Sequence, residues 1–209
     1  MKNMDSLAAV REQLESLPEW SPDSLDRRRT VVLTIDMNQG FTRTGALASP
    51  RVAAIIPRTA AFLRDCRERG IPIIGVTDCH RSDAAEFRSY PVHCLEGTAE
   101  SELIGEIRDL PNSVIRKNST NAFFAPGMAD ALKNVKTVVV TGCCTDICIQ
   151  QFVLTLKAAC NQEERLLEII VPRQLVETYD APDHDAELMG IAALVSMLGN
   201  GVKVVNYHA

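Results

Sequence analysis

The chain has 209 residues, a net charge of -5, 46% hydrophobic and 23% charged residues. That is enough for one domain with a substantial core, and an acidic balance with no basic stripe argues against a nucleic-acid surface. Arg27-Arg28-Arg29 reads as a solvated entry to a sheet, no apolar run approaches membrane-spanning length, and the polar N-terminus lacks an apolar signal core.

Leu7, Val10, Leu14 and Leu17 recur at helical spacing until Ser21, Pro18 and Pro22 break the pattern. Residues 1–28 are therefore expected to be an N-terminal helix and linker, and residues 29–209 the main domain. Thr30 to Ile35 is a β-branched run that predicts a buried strand. Ser49-Pro50 caps and opens a helix that Gly70 closes. Ile71 to Val76 is the next strand, and residues 78–98 form a long connection of the kind that carries function. Ser101 to Leu110 predicts a helix, Ser113 to Arg116 a short strand, and Met128 to Asn134 another helix. A strand at 137–140, a helix at 146–160, a strand at 167–171, a helix at 183–198 and a strand at 202–205 complete the chain. Strands alternating with helices predict a three-layer α/β fold, a mostly parallel six-stranded sheet with helices on both faces.

Seven cysteines are an odd number, in a chain too large to need disulfide staples. They imply free thiols, a reducing compartment and a soluble, cytoplasmic protein.

Ligands of open α/β sheets bind beyond the carboxyl ends of the strands. Four polar or reactive positions directly follow apolar runs there: Asp36, Asp78, Lys117 and the turn Gly142 to Cys148. Taken singly, Asp36 reads as a turn cap, Lys117 as an exposed strand-end lysine and Cys148 as a small buried hydrophobe. Together they supply a base, a cation and a thiol, the parts of thiol nucleophilic catalysis. Cys148 falls in the first turn of a helix, where the dipole favours its thiolate. A second group is Asp78, His80, Glu86 and His93. Residues two apart on an extended strand end face one side, so Asp78 and His80 can grip one ion. Such nitrogen and oxygen donors suit Zn, Fe or Mn. A hydrogen-bonded network of loop side chains is the other reading of these four.

Three segments in order resemble the isochorismatase-like cysteine hydrolase superfamily and, within it, the nicotinamidase branch. They are Leu33 to Phe41 (LTIDMNQGF), Val114 to Lys117 followed by Asn121-Ala122-Phe123, and Thr141 to Cys148 (TGCCTDIC), the most specific of the three. The resemblance spans residues 30–205 or so. It implies a catalytic triad of Asp36, Lys117 and Cys148. It also implies a cis peptide between Cys143 and Cys144 that turns the Cys144 N–H inward, to join that of Cys148 in an oxyanion hole. Asp78, His80 and His93 match metal ligands of nicotinamidases, Glu86 falls where some members have a further ligand, and Phe41 and Tyr90 would line the ring pocket. Tyr90 stands where Trp is common, and Cys79 departs from the aromatic residue usual between the Asp and the His. The expected activity is hydrolysis of nicotinamide to nicotinate and ammonia, with one divalent metal ion, a small carboxamide substrate and a homo-oligomeric state. Two alternatives stand beside it. One is a related hydrolase of another small amide or carbamoyl compound. The other is a catalytically silent binding or redox-sensing module using Cys143, Cys144 and Cys148.

Overall fold

The computed structural model describes residues 2–208, with side chains from residue 7 onward. One twisted sheet is built from β1 (Thr30–Ile35), β2 (Ile73–Asp78), β3 (Ser113–Lys117), β4 (Thr137–Cys143), β5 (Glu168–Pro172), β6 (Val176–Glu177) and β7 (Lys203–Val205). Its order is β3-β2-β1-β4-β5-β7, with β6 paired to the end of β4, and every pairing is parallel. The sheet thus has seven strands, one more than the sequence predicts. Two residues with no alternation of their own leave β6 without a sequence signal.

β1 is buried along its whole length, as a strand covered on both faces must be. Its side chains alternate between two cores. Val31, Leu33 and Ile35 pack with Phe152, Leu156 and Met197 from α6 (Gln150–Gln162) and α7 (Ala186–Gly199). Val32 packs on the other face with Phe62 and Leu63 from α4 (Ile56–Glu68). The first helix, α1 (Lys2–Glu15), lies against α7 and contributes Leu14 to the first of these cores.

Several boundaries differ from expectation. After a short helix, α2 (Gln39–Thr42), the helix predicted between Ser49 and Gly70 is two, α3 (Pro50–Ala54) and α4. Pro57 has no N–H to bond back into α3, so the ladder restarts there. β2 begins at Ile73 because Pro72 cannot donate within a central strand, and it runs on to Asp78. The helix predicted over Ser101 to Leu110 does not form. A single turn, Ala99–Ser101, is followed by a bridge from Leu103 to Asn38, and the Ile104 amide donates to the Met37 carbonyl at 3.1 Å. Backbone groups a helix would use are spent on the β1 extension, while Leu103, Ile104 and Ile107 still reach the core. The helix predicted to start at 146 opens with a π turn, Thr145–Ile149, before α6 begins. The short helix α5 (Met128–Leu132) stands where predicted but ends earlier.

One glycine is dictated by close approach. Gly142 has φ 113°, and a Cβ there would sit 1.9 Å from the Ile35 carbonyl oxygen. Any side chain would push β4 off β1 at the point where both strands end.

Candidate active site

β3, β2, β1 and β4 lie side by side, and the order reverses direction between β1 and β4. Their carboxyl ends carry, in that spatial sequence, Lys117, Asp78, Asp36 and the turn leading to Cys148. This is the switch point at which doubly wound sheets bind ligands. Asp78 and Lys117 are register partners, and Ile35 pairs with Gly142. Sheet geometry therefore fixes the spacing of the four groups.

Lys117 is fully buried rather than an exposed strand-end lysine. Its Nζ lies 2.6 Å from Asp78 Oδ1, 2.9 Å from Asp36 Oδ2 and 3.8 Å from Cys148 Sγ. Burial alone would discharge it, but the two carboxylates outweigh that and hold the ammonium well above the usual lysine range. Asp36 has φ 56°, a left-handed conformation that Asp tolerates better than most residues. Neither Asp36 oxygen makes a hydrogen bond of acceptable angle, and Oδ2 keeps only its ion-pair contact with Lys117. Burial pushes this carboxyl up, Lys117 pulls it back, and the balance is about 6. A half-partnered carboxylate beside a thiol is well placed to take a proton.

Cys148 sits in the π turn and is buried. The helix-dipole argument for a low thiol pKa is overturned here. Burial raises the thiol well above its ordinary value, Lys117 opposes this, and Asp36 and Asp78 add to it. At rest the proton stays on sulfur, so ionisation has to be coupled to attack. The peptide between Cys143 and Cys144 is cis, and the Cys144 carbonyl accepts the amides of Ile147 and Ile149, both at 3.1 Å.

The second group also converges. Asp78, His80, Glu86 and His93 present one ligand atom each, all within 4.8 Å of one another. Asp78 Oδ2 is 3.1 Å from Nε2 of both histidines, and Glu86 Oε1 is 3.7 Å from His80 Nε2 and 4.0 Å from His93 Nε2. The far side of each ring is spoken for: His80 Nδ1 faces Asn118 Oδ1 at 3.1 Å, and His93 Nδ1 faces the Pro91 carbonyl at 2.8 Å. That places the hydrogen on Nδ1 and leaves each Nε2 lone pair directed at the carboxylates. Although close to Asp78, His80 Nε2 is buried without a hydrogen bond of acceptable angle. Lone pairs facing lone pairs are stable with a cation between them, so these residues fit a divalent ion. The Thr120 amide donates to Glu86 Oε2 at 2.9 Å and turns the other oxygen toward the cluster. Burial would raise Asp78, but the Lys117 ammonium beside it holds it below the usual carboxylate range.

Both groups open into one small cleft, lined by Phe41, Leu47, Tyr90, Ile147 and Tyr179 together with Asp78, Glu86, His93 and Cys148. Phe41 and Tyr90 flank His93, with ring centroids 5.6 and 6.3 Å from it. Leu47, Thr120, Asn118 and Tyr179 were not legible as site residues. They come from loops and from the end of β6, and no periodicity or spacing marks them.

Fold and site define the class: a doubly wound α/β enzyme that gathers a thiol, a carboxylate and a lysine at its strand ends. The chain belongs to the isochorismatase domain family, which it matches over residues 30–200. It is 28% identical to Nicotinamidase 1 of Arabidopsis thaliana, with 99% of this chain and 98% of that protein covered. Among solved structures it is similar to a pyrazinamidase of Pyrococcus horikoshii determined in complex with zinc, at 24% identity and a TM-score of 0.70 over 85% of this chain and 99% of that one. It is also similar to an N-carbamoylsarcosine amidase of Thermoplasma acidophilum, at 24% identity and a TM-score of 0.70 over 85% and 96% of the two chains. At this identity the two structures show a shared fold.

Proposed function

We propose that this chain is a metal-containing nicotinamidase, hydrolysing nicotinamide to nicotinate and ammonia through a thioester on Cys148. The observation that carries this reading is the shared cleft. A thiol backed by its buried acid–base partners and three members of a cluster suited to a divalent ion, Asp78, Glu86 and His93, line the same small, largely apolar space. Near full-length similarity to a nicotinamidase supports the substrate. A cytoplasmic homo-oligomer belongs to the same reading, and seven unpaired thiols fit a reducing compartment. Among the described residues no helix is long and apolar enough to cross a membrane.

Asp36 takes the Cys148 proton as sulfur attacks the carboxamide carbon, and Lys117 steadies the charge on both. The backbone N–H groups of Cys144 and Cys148 receive the developing oxyanion, a contribution of about 3 kcal/mol per donor. Asp36 then gives its proton to the leaving nitrogen, the C–N bond breaks and ammonia departs. Water, deprotonated by Asp36, adds to the thioester, and the departing sulfur recovers the proton. Asp78, His80, Glu86 and His93 would hold the ion, which supplies a Lewis acid to bind the pyridine nitrogen and orient the ring. Phe41 and Tyr90 exclude water from the ring.

The deciding test is ammonia release by purified, metal-analysed protein from nicotinamide and a panel of aliphatic and carbamoyl amides. The proposal expects nicotinamide to be strongly preferred and a divalent ion to be present near one per chain. Preference for a carbamoyl compound, or protein that neither holds metal nor releases ammonia, would overturn it.

The base must be ionised to work. With the Asp36 carboxyl near 6, kcat/KM is expected to fall as pH drops through about 6. A cation at the neighbouring Asp78 favours the ionised form, so the acid limb should shift to lower pH when metal is bound. A flat profile from pH 5 to 8 would remove Asp36 from the role.

A further inference from the structure

Resting on the proposed amide hydrolysis, we infer that Tyr179 is a specificity-determining wall of the substrate cleft and that His184 is the positioning residue that fixes it. Tyr179 follows β6, whose Glu177 pairs in register with Cys143, so the strand end delivers its ring beside the nucleophile turn. There it lines the cleft with Cys144, Ile147 and Cys148. One face of the ring is already covered. The His184 imidazole stacks on it with centroids 4.0 Å apart and planes 8° from parallel. The rest of the ring is left to meet a flat substrate.

His184 is itself gripped at both nitrogens. Nε2 lies 2.8 Å from Asp146 Oδ2 and Nδ1 lies 2.9 Å from the Tyr179 carbonyl. A carboxylate and a carbonyl only accept, so the protonated ring, the form Asp146 favours, donates from both nitrogens. Burial opposes that charge, Asp146 outweighs it, and the pKa is raised. In that form the imidazolium stacked on the phenol ring adds cation–π attraction to the contact. Asp146 is a member of the π turn that holds Cys148, and its side chain is only 4% exposed. The loop is closed by reciprocal backbone bonds between Ala181 and His184, both 3.0 Å. Asp146, His184 and Tyr179 thus tie the wall to the turn that carries the nucleophile. None of them takes part in the proton transfers described above.

The test is a double-mutant cycle on the metal-loaded, full-length protein with nicotinamide as substrate. Tyr179→Ala is expected to raise KM about 10-fold with kcat within about threefold, a loss on the scale of one aromatic contact. Tyr179→Phe, which keeps the ring, should bring KM back to within about threefold of wild type. His184→Ala should raise KM as well, and the double variant should be no worse in KM than Tyr179→Ala alone, because His184 acts through the ring. An unchanged KM in Tyr179→Ala overturns the wall. Additive effects, or a lowered melting temperature with KM unmoved in His184→Ala, overturn the positioning role. If His184→Ala does not fold, the two Tyr179 variants decide the wall, and His184→Gln completes the cycle. Wild-type protein inactive on nicotinamide would instead sink the proposed function, a failure read before any variant is compared.

Discussion

Cys148→Ala is expected to lower ammonia release by about 10⁴-fold or more while leaving bound metal unchanged. The mechanism has no second nucleophile. Lys117 and Asp36 would remain in place, but neither can form the thioester. The cluster of Asp78, His80, Glu86 and His93 draws no ligand atom from Cys148. Elemental analysis should therefore find the same ion content in both proteins. The variant should also still bind nicotinamide, since the walls of the cleft stay intact. Residual hydrolysis within about 100-fold of wild type would mean that water attacks directly, and the covalent route would be lost.

Lys117→Met should be the most damaging substitution for stability. The side chains of Lys117, Asp36 and Asp78 are at most 2% exposed. Methionine matches the length of the stem but leaves two carboxylates buried without their shared cation. Breaking a buried pair in this way costs about 3–5 kcal/mol. The sign with pH follows. Without the ammonium both carboxyls rise above their unfolded values, so the variant is weakest at neutral pH and recovers as acid protonates them. Urea unfolding of metal-stripped wild type and variant at pH 5 and pH 7.5 measures this. Equal stability at the higher pH would mean that the charges are solvated rather than buried.

The strand ends were the most legible part of this protein. Thr30 to Ile35 is a strand with the predicted limits, and the polar residues that terminate apolar runs are the ones the sheet gathers. Apolar runs ending in a charge carry that information locally. Other features depend on contacts made far along the chain. Leu103, Ile104 and Ile107 have helical spacing, yet their backbone binds the extension of β1 instead. β6 is a strand only because the end of β4 offers it a partner. The thiol of Cys148 is the sharpest case. Its place near a helix start is visible in the sequence, but the burial that keeps it protonated is not.

The close contact of Gly142 with Ile35 separates chemistry from taste. Asp36 directly follows Ile35, and Cys148 is reached through the turn that begins at Gly142. Base and nucleophile are therefore mounted on hydrogen-bonded neighbours in the middle of a rigid sheet. The groups that shape the cleft, Leu47, Tyr90 and Tyr179, come from loops outside it. Substitutions in those loops can retune which amide is accepted without moving the proton-transfer pair. A scaffold divided in this way invites loop grafting: exchanging residues 43–48 should redirect substrate preference, read as relative kcat/KM on an amide panel, while Cys148 stays reactive.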